Sequence, residues 1–203
     1  MAWQLRRNLM ATTSLYIYGN GGHAKVVADI ARANGYENLI FLDDNSQTKF
    51  SPNLPKHPII IAIGDALIRQ KLQSLVLTNG FELATLIHPT AIISNSVQIG
   101  AGSVIMPGAI INANSVIGCG VIINGGAIVE HDCFIDDFAH ICPGVAIAGG
   151  VCIGKRSWIG IGSNIIQQIK IKQDITIGAG SVVVSDILEG ALAYGNPCKV
   201  VKS

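Results

Sequence analysis

From Pro89 to Val184 the chain reads PTAIIS, NSVQIG, AGSVIM, PGAIIN, ANSVIG, CGVIIN, GGAIVE, HDCFID, DFAHIC, PGVAIA, GGVCIG, KRSWIG, IGSNII, QQIKIK, QDITIG and AGSVVV, sixteen hexads with no insertion. The fifth position is Ile in every hexad except for Val129 and Val183, and the third holds only Ala, Val, Ser, Cys or Ile. Positions one, two, four and six admit charged and polar residues. Two positions apart on a strand share a face, so positions three and five point inward together. A period of six with one short strand and one turn describes a triangular coil of three hexads, in which eighteen residues bring the chain back one strand spacing higher. The fold expected here is a left-handed parallel β-helix, all-β and narrow enough to keep position three small.

Working outward, the segment before the repeats has a different grammar. Leu15 to Tyr18 reads as a strand, Gly19-Asn20-Gly21-Gly22-His23 as a turn, and Ala24 to Ala33 as a helix through Val27, Ile30 and Ala31. Leu39 to Leu42 is a second strand ending at Asp43 and Asp44, and Pro58 to Ile63 is a third, before Gly64. Asp65 is placed to cap a helix that runs to about Leu77 and stops at Asn79-Gly80. This order is that of one mononucleotide-binding half of a doubly wound α/β sheet, a Rossmann-like half domain. The organisation expected is a leader over 1–14, the α/β domain over 15–87, the β-helix over 88–184 and a C-terminal capping segment over 185–203.

Composition narrows the partners. Apolar residues are 49% of the chain but aromatics only 5%, which suits a thin aliphatic core. A net charge of +1 lacks the basic footprint of a nucleic-acid binder. No uninterrupted apolar run is long enough for a membrane span, and Asn8, Thr12, Thr13 and Ser14 break up any secretory h-region after Arg6 and Arg7. The five cysteines show no CxxC spacing, so reduced thiols and a cytoplasmic setting are expected. Apolar residues at outward position four, Val104, Ile110, Val116, Ile122, Ile128 and Phe134, would be covered by packing three prisms into a homotrimer.

Two places carry chemistry. Gly19-x-Gly21-x-x-Ala24 sits between a strand and a helix, where glycines let a phosphate approach backbone N–H groups at the helix start, and Asp43 and Asp44 end the next strand where a ribose would lie. The alternative is a turn that needs positive φ. The missing second half of the sheet argues against a dinucleotide. In the repeats, Glu130-His131-Asp132 straddles a hexad boundary and puts His131 at a corner, suited to accept a proton, with a neighbouring carboxylate to orient it. His140 lies at outward position four, and the register stacks Gly149 on His131 and Trp158 on His140. Glycine beside the histidine would leave room for a slender ligand. Two outward histidines could instead hold zinc, but a third at suitable register is lacking.

The segments YIYGNGGH, FLDD, IAIGDALIRQK, IHPTAIIS, VEHDCFIDDFAH and GNPCKVV, spread from about Leu15 to Lys199, resemble the bacterial nucleotide-amino-sugar N-acetyltransferases of the bacillosamine pathway and their relatives, the sialic acid O-acetyltransferases. The resemblance implies His131 as general base, Asp132 increasing its basicity and Glu130 shaping the site. It implies His140 at the acetyl-CoA thioester, Gly149 and Ile161 along the cofactor channel, and Asn124 beside the reacting amine. Gly21, Gly22 and His23 match the loop for the sugar-nucleotide phosphates, Asp43 and Asp44 a uridine-binding pair, and Gly64 a substrate contact. Cys198 departs from the alanine usual in the closing motif, and Asn20-Gly21 from the Ala-Ser of some members. The implied activity is metal-free transfer of acetyl from acetyl-CoA to the 4-amine of a UDP-linked amino-deoxy sugar. O-acetylation of a sialic acid, a γ-type zinc hydratase and a non-catalytic nucleotide-sugar-binding scaffold remain as alternatives.

Overall fold

The computed structural model describes residues 14–201, so the reading of a leader falls almost wholly outside the described residues. The chain divides after Leu86 into two units.

In the first unit, strand β1 (Ser14–Tyr18), helix α1 (Gly22–Ala33), strands β2 (Asn38–Leu42) and β3 (Ile59–Ile61) and helix α2 (Ala66–Thr78) follow in sequence. Helix α1 buries Ala24, Val27, Ala28, Ile30 and Ala31, one stripe at helical spacing. Helix α2 starts where the Asp65 carboxylate accepts the Ile68 N–H at 2.8 Å. All strand pairs are parallel, in the order β2-β1-β3. A mononucleotide half of the 3-2-1 type would place β3 beyond β2. Here the segment over 43–58, which contains no helix, carries the chain back past β1, and Ile59–Ile61 is fully buried against Tyr16–Tyr18. The strand order reverses between β1 and β3, as in flavodoxin-like sheets, and ligands of such sheets bind at the strand ends beside that reversal.

In the second unit each hexad forms a two-residue strand at positions four and five. Stacking at eighteen residues makes three faces. The first runs through Val104–Ile105, Ile122–Ile123, His140–Ile141, Trp158–Ile159 and Thr176–Ile177. The second runs from Ile92–Ile93 through Ile128–Val129 to Val182–Val183, and the third from Gln98–Ile99 through Phe134–Ile135 to Lys170–Ile171. Position five fills the core, and position three is buried with it. Its serines are satisfied by backbone: Ser103 Oγ donates to Gly118 O at 2.8 Å and accepts the Val121 N–H at 3.0 Å.

The corners have one recurring conformation. From Gly102 to Gly180 the second position of each hexad has φ between 57° and 74°, the left-handed region. Glycine fills most of these positions, and Asn114, Asp132 and Asp174 are of the types that tolerate that region best. Beyond Val184 the period shortens from eighteen to sixteen, since Ile187 pairs with Ile171 and Ala193 with Ile177. The chain then closes with an antiparallel pair, Leu192–Gly195 against Cys198–Val200. Cys198 is 4% exposed in this core, where a thiol packs as a small apolar group.

The position-four residues correct one expectation. Val104 and Ile122 are each 1% exposed within the single chain, so they do not wait for a partner subunit. Ile92 at 65%, Phe134 at 44% and Trp158 at 39% are open, and Ile110, Val116 and Ile128 are half-buried.

Candidate active site

The turn that begins hexad 131–136 joins the second face to the third. Ser115, inward one coil earlier, grips it from inside: its Oγ donates to Glu130 O at 2.7 Å and accepts the Cys133 N–H at 3.1 Å. The Asp132 N–H donates to Ala113 O, and the Gly150 N–H to His131 O, both at 2.9 Å. The backbone of the corner is therefore fixed on every side while its side chains face out.

The left-handed conformation of Asp132 folds its carboxylate back onto the preceding ring, and Oδ2 lies 2.8 Å from His131 Nδ1. The His131 hydrogen bond, followed by one from Asn114 Nδ2 at 3.2 Å, holds the Asp132 carboxyl below its ordinary range. An ionised carboxylate assigns the proton to Nδ1, which leaves Nε2 as the lone pair of the ring. The His131 side chain is 62% exposed and lines, with Asp132, Gly149, Gly150, Gln167 and Gln168, a depression of about 380 Å³. Glu130 enters this corner through its backbone: its N–H donates to Ile147 O at 3.0 Å.

Gly149 stacks on His131, as the eighteen-residue register places it. A Cβ there would lie 2.7 Å from both Cε1 and Nε2 of His131, so the imidazole itself occupies the space that the missing side chain leaves. Gly149 is a seat for the ring and, with it, lines the depression.

His140 keeps outward position four but is covered there. It is 7% exposed, its ring centroid 4.2 Å from that of Trp158 and its Nε2 3.2 Å from Asn124 Nδ2. Asn124 Oδ1 accepts the Gly125 N–H at 2.8 Å. Ile161, 57% exposed, lies at the corner between the first and second faces. In a triangular prism the edge between the second and third faces stands opposite the first face. One chain therefore does not bring His131 together with His140, Asn124 and Ile161.

In the α/β unit, Gly21, Gly22, His23, Asp43, Asp44 and Gly64 line one cavity of about 750 Å³ at the carboxyl ends of β1 and β2 and just beyond β3. The glycines separate into two kinds. Gly19 has φ of 130° and a Cβ there would sit 2.7 Å from Ala62 O, so the turn requires it. Gly21, Gly22 and Gly64 show no positive φ and nothing within 4 Å of an added Cβ. The turn does not explain them; an approaching ligand would. Gly21 caps α1 with no side-chain hydrogen bond and no acidic residue follows in the first turn, which leaves the positive end of the helix open to an anion.

Residues not singled out from sequence hold this cavity in shape. The Tyr18 hydroxyl donates to Asp44 Oδ1 at 2.6 Å, and burial, then this carboxylate, push the phenol pKa up. Asp43 Oδ1 accepts the Asn45 N–H at 2.9 Å. Arg69, 1% exposed, donates from Nη1 to Ile63 O and Gly64 O at 2.9 and 2.7 Å. Burial, then the Arg69 charge, lower the His23 pKa to about 4, so that ring is neutral at pH 7. An arginine at the helical spacing of Leu72, Gln73 and Val76 was the signal available for Arg69.

A left-handed hexapeptide prism with an oriented histidine at its corner, preceded by a phosphate-type α/β unit, defines a hexapeptide-repeat acyltransferase. Residues 14–76 match the PglD N-terminal domain. Over 177 residues the chain is 32% identical to GDP-perosamine N-acetyltransferase of Escherichia coli O157:H7, covering 84% of this chain and 77% of that protein. The crystal structure of PerB from Caulobacter crescentus, in complex with CoA and GDP-perosamine, has a TM-score of 0.88 and 39% identity over 93% of this chain and 97% of that one. The acetyltransferase domain of PglB from Neisseria gonorrhoeae has a TM-score of 0.88 and 39% identity over 94% of this chain and all of that one. The chain belongs to the family of hexapeptide-repeat sugar N-acetyltransferases.

Proposed function

We propose that this protein transfers the acetyl group of acetyl-CoA to the 4-amine of a nucleotide-linked amino-deoxy sugar, with His131 as general base. The observation that carries the reading is the 2.8 Å contact of His131 Nδ1 with Asp132, on a corner open to a ligand. The amine nitrogen attacks the thioester carbonyl, its proton passes to His131 Nε2, and the CoA sulfur leaves and takes up a proton. The products are an amide and free CoA. Cys133 takes no part as an acyl carrier: it is buried and burial raises its thiol pKa.

The α/β cavity supplies acceptor binding, with phosphates at Gly21 and Gly22 and a sugar or ribose hydroxyl at Asp43 and Asp44. The resemblance read from sequence favours UDP as the carrier. A second reading, GDP, is favoured by the likeness to the GDP-perosamine N-acetyltransferases. A homotrimer would set the His131 corner of one subunit against the His140, Asn124 and Ile161 side of the next, completing a site that one prism leaves divided.

The experiment is thiol release from acetyl-CoA with UDP- and GDP-linked 4-amino sugars and with free sialic acid. Turnover is expected with a nucleotide 4-amino sugar, and His131→Ala should lower it by about 10²-fold or more while acceptor affinity stays. Turnover with sialic acid alone would overturn the N-acetylation reading, and a His131→Ala rate within a fewfold of wild type would overturn the base.

A further inference from the structure

We infer that Asn114 is a positioning residue for the transfer: from one coil away its side-chain amide holds the Asp132 carboxylate, and through it sets the His131 imidazole. This rests on the reading of His131 as base. The two oxygens of Asp132 are divided between two partners, Oδ1 accepting from Asn114 Nδ2 at 3.2 Å and Oδ2 facing His131 Nδ1 at 2.8 Å. With its side chain 58% exposed, Asp132 gets no fixed direction from packing, so the second donor decides where Oδ2 points.

Asn114 is itself held. Its N–H donates to Ser96 Oγ at 2.9 Å, and that hydroxyl lies 3.2 Å from Ser94 Oγ. Ser96, Asn114 and Asp132 are eighteen residues apart in turn, and so stack in one column with the imidazole beside its Asp132 level. The turn does not demand an amide, because Gly102, Gly108, Gly120 and Gly126 make the same left-handed corner in neighbouring hexads. In this column the Asn114 side chain is the one that reaches Asp132 from the coil before it. The reach is a property of the stacking: at another corner Arg156 clamps Asp174, also eighteen residues on, by two bonds of 2.6 Å.

The test is a double-mutant cycle on the full-length enzyme, with Asn114→Gly and Asp132→Gly, both replacements suited to positive φ. Asn114→Gly should lower kcat about fivefold with KM for acetyl-CoA and for the sugar nucleotide unchanged. In the Asp132→Gly background the same change should lower kcat by less than about twofold, because its target is gone. Equal losses in both backgrounds, or no loss in either, would overturn the inference. Asn114→Asp, which keeps size and turn preference but exchanges the donor for a charge, guards against a loosened corner. It should also lower kcat with the thermal midpoint unchanged, and a wild-type kcat there would overturn the inference too. His131→Ala in the same assay separates the two readings. An active His131→Ala removes the base and this inference together, whereas an inactive one beside a wild-type Asn114→Gly removes only the inference.

Discussion

The histidine corner and the α/β cavity hold their polar groups by different means. At the corner the supports come from the stacked coils: Asn114 on Asp132, Ser115 on the backbone at Glu130 and Cys133, and Gly149 under the ring. In the cavity they come from unrelated points of the chain, Tyr18 reaching Asp44 across twenty-six residues and Arg69 reaching back to the Ile63–Gly64 loop. A coil repeats its geometry, so a change one coil away acts directly on the base. The cavity instead leaves Gly21 and Gly22 bordered by open space, so changes there should act on ligand before fold.

The sharpest way to break this contrast is Gly149→Val. Its Cβ needs the place of the His131 ring, so kcat should fall about 10²-fold with sugar-nucleotide affinity retained. A raised KM for acetyl-CoA with kcat intact would mean that the ring yields freely and the space belongs to the cofactor.

Next in size is a pH effect confined to the α/β unit. The unfolded chain protonates His23 near 6.5, whereas the folded one resists to about 4, so the unfolded state binds more protons within that window. Stability of the unit should therefore fall by about 2 kcal/mol as pH drops from 7 to 4, discounted for partial exposure. Hydrogen exchange of the α1 amides at both pH values reads this directly. His23→Gln should flatten the slope, and an equally steep slope in that variant would assign the loss to other groups.

Gly22→Val comes third. With nothing within 4 Å of the new Cβ, the thermal midpoint should hold, while Kd for the sugar nucleotide rises about tenfold. Unchanged affinity would mean that no ligand approaches this glycine closely. Smallest is Tyr18→Phe, which removes one hydrogen bond from Asp44 and should raise the same Kd about threefold with kcat untouched. A fall in kcat would show that the cavity and the chemistry are not separable in this way.

Much of the corner could be reached by counting. The hexad period puts Cys133 inside, His131 at a turn and Gly149 beside it, and subtracting eighteen from Asp132 arrives at Asn114. The fate of each side chain could not be counted. His140 and Ile122 share outward position four with Phe134, yet the first two are buried and the third is 44% exposed. The strand order β2-β1-β3 was equally hidden, since the succession of elements is the same for either order. The two-residue shortening after Val184 broke the period, and with it the means of following the chain to Ile187 and Ala193.

Sequence alone determined the prism, its inward residues, the corner that bears Glu130-His131-Asp132 and the glycine turn ahead of a helix, because each is a local period or a local backbone preference written along one dimension. Packing in three dimensions settled the rest. That Gly149 is filled by an imidazole, that His140 is covered by Trp158 and Asn124, and that Asp132 is shared between a histidine and an asparagine depend on which atoms compete for the same few ångströms. Such competition is a property of neighbours that no periodicity records.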